Sequence, residues 1–240
     1  MIWWSHLSAL GGLNVTALLA VGVAAWLVAA RCWRLALVWC LVFGGAVLVA
    51  AASQVAFIGW GIGIRALAFT GCSGHAVRAS AVFPVVLFLL IERGSPRLRR
   101  GAVAAGSLLG VAVALARIQV GAHSASEALS GCALGLAAAG LFLARARAAH
   151  DRSPRPLLLG LLAATILLPR ADPAYSHQWL TAVALKLSGR DRVYLRMTGS
   201  RRRARMCRPA HLPGSALPSS VPERARETAK TWPKGKEQMV

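Results

Sequence analysis

Two short segments of this sequence combine ionisable residues with glycine, between long apolar runs. One reads Cys72-Ser73-Gly74-His75, and the other places Arg117, His123 and Glu127 around Gly121. If a helix begins near His123, Glu127 lies on the same face, because residues four apart are neighbours on a helix. A carboxylate in that position accepts a hydrogen bond from one imidazole nitrogen and fixes the tautomer. The other nitrogen is then free to act as a nucleophile or a base.

The same two segments suit the binding of a phosphate group. The guanidinium of Arg117 has the fork geometry that phosphate oxygens accept, and Gly121 permits the chain to fold back towards it. If a helix begins beside Ser73, its first N–H groups form an anion site that Gly74 leaves open. His75 would then lie near a bound phosphate and could donate a proton to a leaving oxygen.

Each motif also has an ordinary structural explanation. A Ser-Gly-His tripeptide by itself carries little information, and a His-x-x-x-Glu pair often lies on a helix surface. Glu127, however, is one of only three acids in the first 170 residues. Because Arg117, His123 and this rare acid lie beside a glycine-containing bend, we favour the functional interpretation for the group as a whole.

The elements that hold these residues are apolar, and the chain as a whole is basic. Of its 240 residues, 56% are hydrophobic and 15% are charged, and 28 Lys and Arg against 8 Asp and Glu give a net charge of +20. A soluble nucleic-acid-binding domain would be richer in charge, and a disordered polycation would be poorer in Ala, Val and Leu. The combination is typical of a membrane protein with several spans and basic loops, and we expect no nucleic-acid partner.

Six apolar segments predict an all-α bundle of about six transmembrane helices, at roughly 20 residues per span. The sixth segment is short and could instead be tilted or interfacial. The segments run over residues 13–30, 35–58, 76–91, 101–118, 125–144 and 157–169.

The charges of the connections predict how the bundle is oriented. Arginines cluster after the first, third and fifth segments, and by the positive-inside rule those connections are cytoplasmic. The connections that carry His75 and His123 then face the outside, which we interpret as the periplasmic side of a bacterial inner membrane. The clustered arginines are Arg31, Arg34, Arg93, Arg97, Arg99, Arg100, Arg145, Arg147, Arg152 and Arg155.

The remainder of the chain gives two further expectations. Residues 1–195 are predicted to form the membrane domain, and residues 196–240 a basic tail, rich in Pro, Ser and Gly, that stays disordered. Six spans place this tail outside, against the positive-inside rule, but late charged segments are weaker topological signals. The five cysteines lack metal-ligand spacing and are interpreted as packing residues. We expect neither a metal nor a cofactor.

The two polar segments resemble the second and third motifs of the type 2 phosphatidic acid phosphatase superfamily, which includes lipid phosphatases, bacterial acid phosphatases and vanadium haloperoxidases. The second family motif is Pro-Ser-Gly-His, where this chain has Cys72-Ser73-Gly74-His75. The third is Ser-Arg, five residues, His, three residues and Asp, where this chain has Ala116-Arg117, His123 and Glu127 at the same spacing. The six predicted spans agree with the integral membrane branch of the superfamily.

The resemblance implies a metal-free hydrolysis of a phosphoester in two steps. His123 would attack phosphorus and form a phosphohistidine, Glu127 would orient it, and His75 would protonate the leaving group. The groups that would hold the phosphate oxygens are Arg117, Ser73 and the Gly74 amide. In the membrane branch the substrates are lipid phosphates or diphosphates, such as undecaprenyl diphosphate or phosphatidate-like lipids.

The chain departs from the family pattern in its first motif, which is Lys, six residues and Arg-Pro. No Lys precedes Lys186, and Gln54 lies near where the motif Lys is expected. Arg65 is a candidate for the missing phosphate-binding charge and Arg78 competes with it, although either is also explained as an interfacial arginine that reaches lipid headgroups. The predicted function is a membrane-embedded lipid phosphatase. The alternatives are a catalytically inactive relative that binds lipid phosphates or has a structural role and, more distantly, a transporter.

Overall fold

The computed structural model describes residues 2–91, 94–146, 173–189 and 194, and leaves the side chains of residues 65 and 173–177 outside that description. Within these ranges the chain is helical, apart from connections, a single 3-10 turn at Arg65–Leu67 and one isolated bridge between Ile64 and Phe69. The prediction of an all-α membrane bundle is confirmed. The helices are α1 (Ile2–Leu10), α2 (Leu13–Ala29), α3 (Trp33–Trp60), α4 (Gly74–Leu90), α5 (Pro96–Gln119), α6 (Ala125–Ala146) and α7 (Pro173–Ser188).

Four stretches of the described chain are long and apolar enough to cross a membrane. They are Ile2–Ala29, which joins α1 and α2, together with α3, α5 and α6, and their mean hydropathy lies between 1.6 and 2.5. α4 is a shorter apolar helix of 17 residues. Large apolar side chains are exposed along α3, α5 and α6, as expected for surfaces that face lipid, and they include Leu41, Leu48, Leu108 and Leu141. The chain is a multi-pass membrane protein.

The predicted segments agree with the first helices to within a few residues, with two differences. Residues 2–10 form α1, which the apolar pattern does not predict. α5 begins at Pro96 rather than at residue 101, because the Ser95 hydroxyl accepts a hydrogen bond from the Leu98 N–H and proline fits the first helical turn. The sixth predicted span, residues 157–169, and the predicted tail, residues 196–240, lie outside the described residues.

α4 lies at the centre of the bundle, between α5 and α6. Glycines on the two flanking helices allow this close approach. A Cβ atom on Gly110 would lie 2.7 Å from the Cα of Ser80, and one on Gly135 would overlap the carbonyl oxygen of Val77. The density of small residues in these two segments predicts such backbone contact between helices within lipid. The first residues of α4, which include the Ser-Gly-His motif, are therefore held from both sides.

An apolar core fixes the other end of the bundle. Trp39 of α3 is buried, stacks on Phe43 with ring centroids 5.0 Å apart, and meets the ring of Phe142 of α6 edge-on. Its indole Nε1–H donates a 2.9 Å hydrogen bond to the carbonyl of Ala20 in α2. The contacts of Trp39 thus join α2, α3 and α6 around α4 at this end of the bundle. The polar residues lie at the opposite ends of these helices.

The helices alternate in direction, so their connections fall into two groups. Residues 11–12, 61–73 and 120–124 lie at one end, which we call the site end, and they approach one another through hydrogen bonds described below. The opposite helix ends carry arginines, which include Arg31, Arg34, Arg97, Arg100 and Arg145. The polar motifs and the clustered arginines of the described chain therefore lie at opposite ends of the spans.

Candidate active site

α6 begins with a capping box, a reciprocal pair of hydrogen bonds between the residue before the helix and the third helical residue. The Ser124 hydroxyl accepts from the Glu127 N–H at 3.3 Å, and the Glu127 carboxylate accepts from the Ser124 N–H at 3.0 Å. The carbonyl of Ser124 accepts the first helical hydrogen bond, from Ala128. This arrangement starts the helix directly after His123 and fixes Glu127 in its first turn.

The Glu127 carboxylate also binds His123 and Thr70. Its Oε2 atom lies 2.9 Å from His123 Nδ1, and its Oε1 atom accepts from the Thr70 N–H at 2.8 Å and from the Thr70 hydroxyl. The Glu127 side chain is 0% exposed, whereas that of His123 remains 19% exposed. Because the ring is held through Nδ1, its Nε2 atom is the one presented to an incoming group.

The connection before α4 lies across the start of α6. The Ser126 hydroxyl donates a 2.7 Å hydrogen bond to the carbonyl of Leu67, and the Ser73 N–H donates to the Glu127 carbonyl at 3.0 Å. A Cβ atom on Gly131 would lie 2.7 Å from the Ser73 carbonyl oxygen, so the start of α4 rests directly on α6. The two sequence motifs, 48 residues apart between His75 and His123, are joined here at backbone level.

Arg117 lies in the last turn of α5 and faces the N-terminal helix. Its Nη1 atom donates a 3.0 Å hydrogen bond to the hydroxyl of Ser8 in α1, and its carbonyl accepts from the His123 N–H at 3.2 Å. Gly121 makes the second contact possible, because its φ of 70° is in the left-handed region that turns the chain back. The Nε atom of Arg117 is buried and has no hydrogen-bond partner among the described residues.

Ser73 precedes α4 in the N-cap position but does not cap the helix. Its backbone is extended, its side chain forms no capping hydrogen bond, and its hydroxyl is buried without a partner among the described residues. An N-cap serine normally accepts a hydrogen bond from the second or third helical N–H. The free hydroxyl and the first N–H groups of α4 are therefore available to an anion.

His75 follows in the first turn of α4 and lies beneath the α1–α2 connection. A Cβ atom on Gly11 would lie 3.2 Å from both the Cβ and the carbonyl oxygen of His75. His75 also lies close enough to Arg78, Arg117 and His123 to interact with their charges. The structure thus brings both predicted histidines and Arg117 close together, and Ser73 and Gly74 directly precede His75 at the start of α4.

Two arginines were candidates for the cation of the missing first motif. Arg78 lies beside Gly74, and its Nη1 atom is 3.0 Å from where a Cβ on Gly74 would be. Gln54 of α3 is a neighbour, because its Nε2 donates to the Cys72 carbonyl at 2.7 Å. Arg65 occupies the 3-10 turn of the preceding connection, and its side chain lies outside the described residues.

Several contributors to the site were missed from the sequence. Ser8 and Thr16 bind the two arginines, and Thr70 binds Glu127. These contacts join residues 57 to 109 positions apart, so no local pattern indicates them. The capping box was visible, since Ser124-Ala-Ser-Glu127 has its spacing and precedes an apolar run.

Fold and site together define a class of protein, a multi-pass helical membrane protein with a histidine–carboxylate pair, a second histidine and two arginines at one end of its spans. Sequence comparison then gives a family match. Residues 63–151 match the PAP2 superfamily, the type 2 phosphatidic acid phosphatase group that the motifs resemble. The matched range includes every site residue named above from Arg65 to Glu127.

A protein of Klebsiella pneumoniae is similar to this chain over a longer range. It is described as an uncharacterized 22.5 kDa protein in the cps region, and the two are 39% identical over 131 residues. The match covers 55% of this chain and 63% of the relative, so it spans less than two thirds of the relative's length. No solved structure gives a significant match.

Proposed function

We propose that this protein is a membrane-embedded phosphatase that hydrolyses a lipid-linked phosphate or diphosphate through a phosphohistidine at His123. The observation that carries the proposal is the hydrogen bond between His123 Nδ1 and the buried Glu127 carboxylate, at 2.9 Å. It leaves Nε2 as the reactive nitrogen. His123 interacts with His75, which in turn interacts with Arg78 and Arg117. The match of residues 63–151 to the PAP2 superfamily supports phosphatase chemistry in general.

The proposed reaction balances in two steps. In the first, His123 Nε2 forms a bond to phosphorus, the bond to the leaving oxygen breaks, and His75 gives that oxygen a proton. In the second, a water oxygen forms a bond to phosphorus, His75 takes a proton from that water, and the bond between phosphorus and His123 Nε2 breaks, which releases inorganic phosphate and free His123. Arg117, Ser73 and the Gly74 amide hold the non-bridging oxygens, and the positive guanidinium stabilises the charge that develops on them. No metal or cofactor takes part in this scheme.

A lipid substrate is supported by where the site lies. The reacting groups are at the ends of membrane-spanning helices, where the headgroup of a lipid would meet them while its chain stays in the bilayer. Trp3 and Ile2 of α1 are 86% and 74% exposed, and exposed aromatic residues are typical of the membrane interface. The arginines at the opposite helix ends support a cytoplasmic location for that end and a periplasmic site at a bacterial inner membrane.

The test is phosphate release by the detergent-purified protein with a chelator present. Lipid monophosphates, lipid diphosphates and a soluble aryl phosphate are compared as substrates, and His123→Ala is compared with His6→Ala, a change at an exposed histidine of α1. We expect release from at least one lipid substrate, no release by His123→Ala, and wild-type release by His6→Ala. Acid-labile, base-stable labelling of the wild type by a ³²P-lipid would identify the phosphohistidine.

Each result separates the candidate functions. Release that survives His123→Ala would contradict the phosphohistidine mechanism. Absence of release from every substrate, with lipid phosphate still bound, would favour the inactive relative instead. For orientation, a single cysteine at the exposed Ala122, in a chain without its native cysteines, should react with an impermeant maleimide added to spheroplasts. A cysteine at Leu98 should not react, and the reverse pattern would place the site on the cytoplasmic side.

A further inference from the structure

This chain lacks the first family motif, so the candidate phosphate-binding cations of its described residues come from other segments. A lysine and an arginine from that motif would approach the phosphate from a separate segment, yet no lysine precedes Lys186. Arg78 instead comes from α4 itself, one turn after Gly74, so that the motif helix carries both the anion-binding N–H groups and a guanidinium. Side chains on a helix lean towards its N-terminus, which directs Arg78 back to that site.

The N-terminal segment fixes the orientation of this guanidinium. Arg78 Nε donates to the hydroxyl of Thr16 at 3.1 Å, and Nη2 donates to the carbonyl of Gly11 at 3.3 Å. Gly11 lies in the connection between α1 and α2, and Thr16 lies in the first turn of α2. Nη1 is left without an acceptor among the described residues, and it is the atom that lies against Gly74. Two nitrogens are therefore used to position the group, and the third is presented to the site.

Charge at this point is not balanced by the described part of the chain. Arg78 and Arg117 interact with each other and with His75, and the one acid among the described residues, Glu127, is hydrogen-bonded to His123 and Thr70. Two buried polar atoms, Ser73 Oγ and Arg117 Nε, also lack a partner. Buried donors without partners and paired cations without a counterion together indicate a site for an anion.

We infer that Arg78 is the second phosphate-binding cation of this site, and that the α1–α2 connection positions it. Arg78 Nη1 binds one non-bridging oxygen, while Arg117, Ser73 and the first N–H groups of α4 bind the others. The phosphate is thus held by two guanidinium groups that are both tethered to the N-terminal segment, Arg117 through Ser8 and Arg78 through Gly11 and Thr16. The inference rests on the proposed function for the identity of the anion as a phosphate.

Binding and hydrolysis are measured separately on the full chain in detergent. Inorganic phosphate is the binding probe, with affinity read from isothermal titration and from thermal protection. Arg78→Gln is compared with Arg97→Gln, a matched change at an exposed arginine on the opposite helix end, and with Arg65→Gln. Loss of a charge-assisted hydrogen bond is expected to weaken phosphate binding roughly 10- to 100-fold in Arg78→Gln. Arg97→Gln should bind as the wild type does, and Arg78→Lys should recover part of the affinity, since it keeps the charge but not the fork geometry.

The outcomes distinguish this inference from the proposed function. Wild-type phosphate affinity in a folded Arg78→Gln, with the loss found in Arg65→Gln instead, would overturn the inference and assign the cation to Arg65. If the wild type binds phosphate but hydrolyses nothing, the phosphatase proposal fails while the loss in Arg78→Gln still supports the inference. If the wild type neither binds nor releases phosphate, both are overturned. If the melting temperature of Arg78→Gln is close to that of Arg97→Gln, the Arg78→Gln variant is folded.

Discussion

The Nδ1 atom of His123 and the carboxylate of Glu127 are 2.9 Å apart, and the same carboxylate closes the capping box of α6. One side chain therefore starts the helix and orients the proposed nucleophile. The PAP2 motif has Asp at this position, whereas the capping box favours Glu or Gln at the third helical residue. Because Glu is longer, one oxygen reaches His123 and Ser124 while the other reaches Thr70 across the site.

Glu127→Gln should impair catalysis far more than folding. The amide can keep one hydrogen bond to the capping residue, but it cannot stabilise the charge on His123 or accept from all its present donors. We expect kcat to fall by up to roughly 10⁴-fold, the loss found when the Asp that orients the histidine of a Ser-His-Asp triad is changed to Asn. Steady-state phosphate release together with a thermal melt measures both quantities.

Two companion variants make that result specific. Thr70→Val removes one hydroxyl but keeps the backbone N–H donor, so we expect kcat to fall roughly tenfold. Leu129→Ala shortens an exposed side chain at the start of the same helix, and it should leave kcat near the wild-type value. Full activity of Glu127→Gln would show that the carboxylate serves the helix alone.

Gly121→Ala tests whether backbone geometry places His123 beside Arg117. Gly121 has a φ of 70°, and a Cβ atom there would meet nothing within 4 Å, so any penalty is conformational rather than steric. A non-glycine residue in this region costs about 1–2 kcal/mol, and Asn tolerates it better than Ala does. We expect Gly121→Ala to lower the melting temperature and kcat/KM, and Gly121→Asn to retain more of both. Equal behaviour of Ala and Asn would contradict this explanation.

The fold was predictable where apolar runs are long. The runs over residues 35–58 and 125–144 became α3 and α6 with bounds within two residues, because few other structures satisfy a backbone inside a membrane. α1 was not predicted, because its nine residues include Ser5, His6 and Ser8 and it is separated from α2 by two glycines. Its structure depends on packing against α5, which a local pattern does not contain.

The sequence motifs of the site were predictable, but the residues that hold the motif side chains in place were not. The spacing of His123 and Glu127 indicates contact on one helix turn, and the structure places a hydrogen bond there. The partners Ser8, Thr16 and Thr70 come from distant segments, and serine and threonine are too common in helices and loops to stand out. The choice between Arg65 and Arg78 likewise required the position of Gly74 relative to the Arg78 guanidinium.

Gly135→Ala should destabilise the bundle around α4. The new methyl group would overlap the carbonyl oxygen of Val77 and lie 2.9 Å from the Cβ of Ser80, so α4 and α6 would have to separate. Overpacking of this kind typically costs about 1–3 kcal/mol. Gly140→Ala is the matched control on the same helix, because a Cβ there meets nothing within 4 Å. Thermal unfolding in detergent compares them, and equal melting temperatures would show that the helices adjust without cost.

Ser8 and Thr16 should act on substrate binding through the arginines that they hold. Ser8→Ala removes the partner of Arg117 Nη1, and Thr16→Val removes that of Arg78 Nε without a large change in volume. Each guanidinium then samples more orientations, which weakens ground-state and transition-state binding alike, so KM should rise with little change in kcat. Loss of one hydrogen bond predicts a rise of roughly 2- to 12-fold. Thr16→Ser keeps the hydroxyl and should restore KM, while Ser107→Ala on α5, whose hydroxyl bonds only within its own helix at Val103, should leave it unchanged. If Thr16→Val and Ser8→Ala lower the melting temperature without changing KM, the N-terminal segment stabilises the bundle and does not position the phosphate.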